Sequence, residues 1–137
     1  MTVRRPLLAV ALLASLVVAL AGCSQAAPPE THTIALTTLN DSGVTGTVTL
    51  TAVDDRRTRV EIMVNPAGHP DMPSHIHPGT CTNLVPQPKY PLLNVKDGHS
   101  VTTVPASMAD LLKGGLAVNI HRSNEDLATY TACAELK

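Results

Sequence analysis

The sequence predicts an all-β domain, a sandwich or Greek-key barrel of roughly seven to eight short strands with one short helix. Three observations predict it. Aliphatic residues alternate with threonines over several runs, the period of two that sends every second side chain to one sheet face. Clusters of Gly, Asn, Asp and Pro recur about every ten residues, the rhythm of turns between short strands. The 137 residues include 2 Tyr and no Trp or Phe, so the core must be built from Val, Leu, Ile, Met and Ala.

Residues 31–39 set Ile34 and Leu36 against threonines and run into the turn cluster Asn40-Asp41-Ser42-Gly43. Residues 44–53 alternate more strictly, with Val44, Gly46, Val48, Leu50 and Ala52 on one face and threonines on the other. Asp54-Asp55-Arg56-Arg57 turns the chain into residues 58–65, where Val60, Ile62 and Val64 face inward. These three runs predict a meander with one buried face. A loop over 66–73 leads to the strand Ser74-His75-Ile76-His77. Residues 78–91 contain Pro78, Pro86, Pro88 and Pro91 and no clean period, which predicts a long irregular segment. Residues 92–95 and 100–104 predict a hairpin around Lys96-Asp97-Gly98-His99. Ser107-Met108-Ala109-Asp110 is a capping box, so about two turns of helix should follow before Gly114-Gly115. Residues 116–121 and 129–136 complete the strands, and no internal repeat is visible.

The first residues are of another kind. Arg4 and Arg5 precede an apolar run over 6–20, too short and wrongly flanked for a membrane span, which reads as a secretory signal. It ends in Leu20-Ala21-Gly22-Cys23, which looks like a bacterial lipobox with Cys23 as the acylated first residue of the mature chain. The expected organisation is a lipoprotein signal peptide over 1–22, an acylated cysteine and flexible tether over 23–31, and one β domain over 32–137. Such a chain is exported and anchored by its lipid to the outer face of the cytoplasmic membrane or the cell envelope. Of the 10 Lys and Arg, losing Arg4 and Arg5 leaves 8 against 11 Asp and Glu, a net charge near −3 with histidine neutral. That balance gives no case for nucleic acid, and no basic run is present to grip anionic lipid.

With Cys23 acylated, Cys81 and Cys133 remain as an even pair in an oxidising compartment. Two readings stand: a disulfide closing a loop of about 53 residues, worth roughly 4 kcal/mol in the chain-entropy treatment, or a pair of soft metal ligands. Export favours the disulfide. The candidate chemistry lies near these cysteines. In a strand His75 and His77 share one face while Ile76 points to the other, and His121 ends a second alternating run, Ala117-Val118-Asn119-Ile120-His121. An isolated His-x-His pair is usually two surface histidines; the third histidine strand turns the balance toward a metal, and imidazole suits copper and zinc. His69, Met72 and His99 are further candidate ligands, Met72 because a thioether suits cuprous copper. Each is more often an ordinary loop or turn residue than a ligand, and His32 reads as an exposed residue at the domain's start. No Gly-x-Ser-x-Gly elbow or phosphate-cradling glycine loop occurs, and the carboxylate pairs Asp54/Asp55 and Glu125/Asp126 fall in expected turns.

Laid out in this order, residues 32–136 resemble the copper-zinc superoxide dismutase superfamily. That family has a His-x-His pair at a strand end, a cysteine shortly after, a last copper-binding histidine after an apolar strand, and a cysteine near the C-terminus. Here these are His75 and His77, Cys81, His121 in Val118-Asn119-Ile120-His121, and Cys133 in Thr131-Ala132-Cys133-Ala134. Gly43-Val44-Thr45-Gly46-Thr47-Val48 is similar to the family's early Gly-x-x-Gly strand. The resemblance implies a dismutase-like Greek-key fold, copper on His75, His77 and His121, and a Cys81–Cys133 bridge. The departures are specific. Pro88-Lys89-Tyr90-Pro91 puts Lys89 where the family has the histidine bridging copper and zinc, and no Asp lies between Cys81 and Val95, so no zinc is expected. Tyr130 falls near the family's superoxide-attracting arginine, and Arg122 is displaced from that position. The chordin-type (CHRD) domain is a second relative, with a His-Ile-His-like strand and a Val-Asn-x-His-like strand; the cysteine pair favours the dismutase side.

The expectation is thus a lipid-anchored extracytoplasmic protein binding one copper ion, with superoxide as candidate substrate and weak dismutation. A non-catalytic copper-binding lipoprotein and a metal-free surface module are the alternatives. A copper site requires the nitrogens of His75, His77 and His121 to lie within about 4–5 Å of one another. Lys89 is expected beside them, and metal affinity should fall below about pH 6.

Overall fold

The computed structural model describes residues 27–137; the expected signal peptide, Cys23 and the first part of the tether lie outside the described residues. Along the chain run β1 (Thr31–Ala35), β2 (Thr37–Thr38), β3 (Thr45–Ala52), β4 (Thr58–Asn65), β5 (Asp71–Met72) and β6 (Ser74–Thr80). After these come β7 (Asn83–Leu84), β8 (Tyr90–Pro91), β9 (Val95–Lys96), β10 (His99–Val104), α1 (Met108–Leu112), β11 (Leu116–His121) and β12 (Tyr130–Leu136). One sheet has the order β1-β3-β4-β10-β9-β5, the other β2-β12-β11-β6-β7, with β8 also paired to β6. Every pairing is antiparallel. The fold is the all-β class expected.

The strand count among the described residues is higher than expected, 12 rather than seven to eight, and the excess has local causes. The run over 31–39 breaks at buried Leu36, whose N–H donates to Gly46 O at 2.9 Å; β1 pairs with β3 in the first sheet and β2 with β12 in the second. Gly46 is required there, because a Cβ would collide with the carbonyl oxygen of Met63. The chain changes sheets again at Pro73, between β5 and β6. Strands that switch sheets make the corners of a sandwich, and here they join the two sheets on both sides. The segment expected to be irregular also pairs: β6 runs through Pro78 to Thr80, and β7 and β8 return onto it. The strand expected over 92–95 is confined to Val95–Lys96. His99 lies just beyond the turn, opposite Lys96, because Asp97 and Gly98 supply the two positive φ angles (49° and 89°) of a tight hairpin.

Between the sheets lies an aliphatic core. Val48, Leu50, Val60 and Ile62 from the first sheet face Ile76, Val118, Ile120 and Ala134 from the second. Burying each large aliphatic side chain contributes about 1.5–3 kcal/mol. Leu111 of α1 closes one end of this core. That helix starts with half of its capping box: Ser107 Oγ accepts from Asp110 N–H at 3.0 Å, while Asp110 Oδ2 accepts from the Ser107 hydroxyl at 2.9 Å rather than from its backbone N–H. In the second sheet Ile76, Val118 and Ile120 fill the core, so His75, His77, Ala117 and Asn119 must face outward. This outer face carries the candidate site.

Candidate metal centre

On the outer face of the second sheet β6 lies beside β11, and β11 beside β12. His75 stands opposite Asn119, His77 opposite Ala117, and Asn119 opposite Cys133. A register shift between Ile120 and His121 sets His121 opposite Tyr130, and the His121 ring meets the Tyr130 ring edge-on with centroids 5.2 Å apart. The imidazoles of His75, His77 and His121 converge: each offers a ligand nitrogen, and these atoms all lie within 4.8 Å of one another. The group could hold a metal ion.

Two backbone carbonyls fix which nitrogens face inward. His77 Nδ1–H donates to Val85 O at 2.9 Å, and His121 Nδ1–H donates to Leu127 O at 2.6 Å. Each ring therefore presents Nε2 as a lone pair. The His121 lone pair is met by His75 Nδ1 at 3.0 Å. His77 Nε2 is buried and has no hydrogen-bond partner. Burying a polar atom unpaired costs about 1–3 kcal/mol, so an orphan lone pair on one of three converging imidazoles fits a metal–ligand bond. On that observation the residues present fit a metal ion.

A cover holds the site together. Residues 81–89 lie over the outer face, tied by a Cys81–Cys133 disulfide whose Cα atoms are 5.8 Å apart. Lys89 N–H donates to Ile76 O at 2.8 Å at the other end of this segment. The three histidines, Pro86, Pro88, Leu127 and Tyr130 line a pocket of about 360 Å³. Sequence reasoning missed Val85 and Leu127, because they act through carbonyls common to every residue.

The other sequence candidates stand elsewhere. Met72 is fully buried in the aliphatic core, where its sulfur accepts from the Thr131 hydroxyl at 3.7 Å; the chain crosses between sheets beside it and turns the thioether inward. His99 pairs with Glu61 at 2.9 Å on the first sheet. His69 belongs to the loop before β5, its N–H bonded to Pro66 O at 2.8 Å, and is not part of the converging group. The Lys89 ammonium lies 5.5 Å from the Tyr90 ring centroid, and Lys89 is not among the residues lining the pocket. Arg122 pairs with Asp126 at 3.7 Å.

Burial pushes the His75 imidazole down to about 4, and the nearby His121 and His77 add to the effect. Burial also lowers His121, opposed by its bond to Leu127 and by the charge of Asp126. An unfolded histidine takes up its proton near pH 6.5. Between about pH 6.5 and 4 the unfolded chain therefore binds more protons at position 75 than the folded one, and stability of the metal-free protein should fall as pH drops through that window. Urea unfolding at pH 7, 5.5 and 4.5 measures this. The decline should be shallower in His75→Gln; equal slopes would contradict the burial effect.

No protein-family model matches the chain, and a search of curated proteins finds no match. The metal reading accordingly rests on the three converging imidazoles and on the unpaired, buried Nε2 of His77.

Proposed function

We propose that this is an exported, lipid-anchored, dismutase-like protein that holds one copper ion through His75, His77 and His121 and dismutates superoxide slowly. The orphaned Nε2 of His77, on one of three imidazoles whose ligand nitrogens converge, is the observation that carries the metal reading. The donor set favours copper over hard, oxygen-seeking ions, since three imidazoles and no carboxylate converge. Copper supplies a one-electron change that zinc cannot, and the balanced reaction turns two superoxide anions and two protons into oxygen and hydrogen peroxide. The protein's part is to hold three neutral donors in place and to wall them with Pro86, Pro88, Leu127 and Tyr130, limiting water.

Slow turnover follows from the charges around the pocket. No Lys or Arg lines it among the described residues, so electrostatic steering that can raise capture about tenfold or more is missing. The same observation supports a second reading, a copper-binding lipoprotein without catalysis. The full chain, extracted in detergent and loaded with copper, separates the two. One copper per chain with superoxide consumption that disappears in the His75→Ala/His77→Ala/His121→Ala variant supports the dismutase. One copper without consumption leaves the binding protein, and no stoichiometric copper refutes both. Anchoring is tested alongside: Cys23→Ser should move the protein out of the membrane fraction, and its retention there would refute the lipid anchor.

A further inference from the structure

We infer that the histidine site is built for a univalent metal ion, copper(I), in preference to copper(II). This rests on the copper reading and adds the oxidation state to it. Three features support it. The converging donors are three imidazoles, which bring no negative charge to the ion. The orienting partners of His77 and His121 are the carbonyls of Val85 and Leu127, whereas a carboxylate partner would raise ligand basicity and favour the higher charge. The surrounding wall is apolar apart from the Tyr130 hydroxyl, being made of Pro86, Pro88, Leu127 and the Tyr130 ring.

The consequence is a matter of solvation. The free energy lost on taking an ion out of water grows with the square of its charge, so a divalent ion gives up about four times what a univalent one does. With neutral donors and an apolar wall, little is returned to the second charge. Asp126 acts on His121 through its charge, and it is half-buried and paired with Arg122 at 3.7 Å. Its field is therefore largely offset. Three-coordination by imidazole is sufficient for copper(I), while copper(II) prefers a tetragonal set that these three donors do not complete.

The test is a pair of competition titrations on the metal-free full chain: copper(I) against bicinchoninate without oxygen, and copper(II) against nitrilotriacetate. Silver(I) and zinc(II) serve as redox-inert univalent and divalent controls. Copper(I) should bind one per chain at least about a hundredfold tighter than copper(II), and silver(I) should displace it more readily than zinc(II). Leu127→Glu puts a carboxylate in the wall while keeping the backbone carbonyl, and should narrow the copper(I)/copper(II) ratio about tenfold. Leu127→Gln, similar in shape without the charge, should narrow it far less. Equal or tighter binding of copper(II), or a ratio that Leu127→Glu does not move, overturns the inference while leaving the copper site standing. Failure of both copper ions to bind refutes the copper reading and the inference together.

Discussion

Removing the Cys81–Cys133 bridge, as the double variant Cys81→Ala/Cys133→Ala, is expected to destabilise the domain by about 4 kcal/mol. The cysteines are separated by 52 positions, so the bridge excludes a large set of open conformations from the unfolded chain. For a domain of this size that loss should lower the melting temperature by roughly 15 °C. A second effect is specific to the site. Cys81 begins the segment that carries Val85, and Val85 O is what orients His77. Freed at one end, that carbonyl no longer fixes the His77 tautomer, and metal affinity should drop by about tenfold or more, the range for losing an outer-shell partner. Calorimetry followed by copper titration measures both. A shift below about 3 °C would mean that the loop is ordered without its bridge, and unchanged affinity would remove Val85 from the account.

The bridge also illustrates what the sequence discloses. Two cysteines left over after an expected acylation at Cys23 favour a disulfide over a pair of soft metal ligands, and the fold forms it between the loop after β6 and β12. The alternation over β3 and β4 was legible for a different reason: one face is buried and the other wet, so Val48, Leu50, Val60 and Ile62 stand out against threonine and charge. Where burial is two-sided the pattern loses its direction. All six residues of β11 are buried, so only the polar Asn119 and His121, set against Val118 and Ile120, mark which face turns away from the core. The two-residue strands β5, β7 and β8 carry no periodicity at all, because a pair of residues cannot alternate and their partners are distant in sequence. Met72 misled for a related reason. A thioether just before a His-x-His pair suggests a ligand, but the crossing at Pro73 sends the side chain to the opposite face of the sandwich wall.

His77→Leu should abolish the metal-induced gain in stability, and it should do so while making the metal-free protein slightly more stable. The imidazole of His77 is buried, and its Nε2 has no partner. Leucine fills a similar volume and removes that unsatisfied atom, a gain of about 1 kcal/mol. Among the described residues, the bond given up is the one to the carbonyl of Val85, an exposed residue. A histidine retained for packing would behave in the opposite way, its loss lowering stability with or without metal. Binding to the native state alone adds RT ln(1 + [L]/Kd), about 4 kcal/mol when free metal is a thousandfold above Kd. Wild type should therefore melt well above its metal-free temperature when copper(I) is supplied under reducing conditions that leave the disulfide intact. His77→Leu should melt at one temperature, slightly above metal-free wild type, whatever the copper concentration. If the variant keeps the copper-dependent rise, His77 is not a ligand. If it is destabilised by 2 kcal/mol or so without metal, the imidazole has a structural role that its unpaired nitrogen does not disclose.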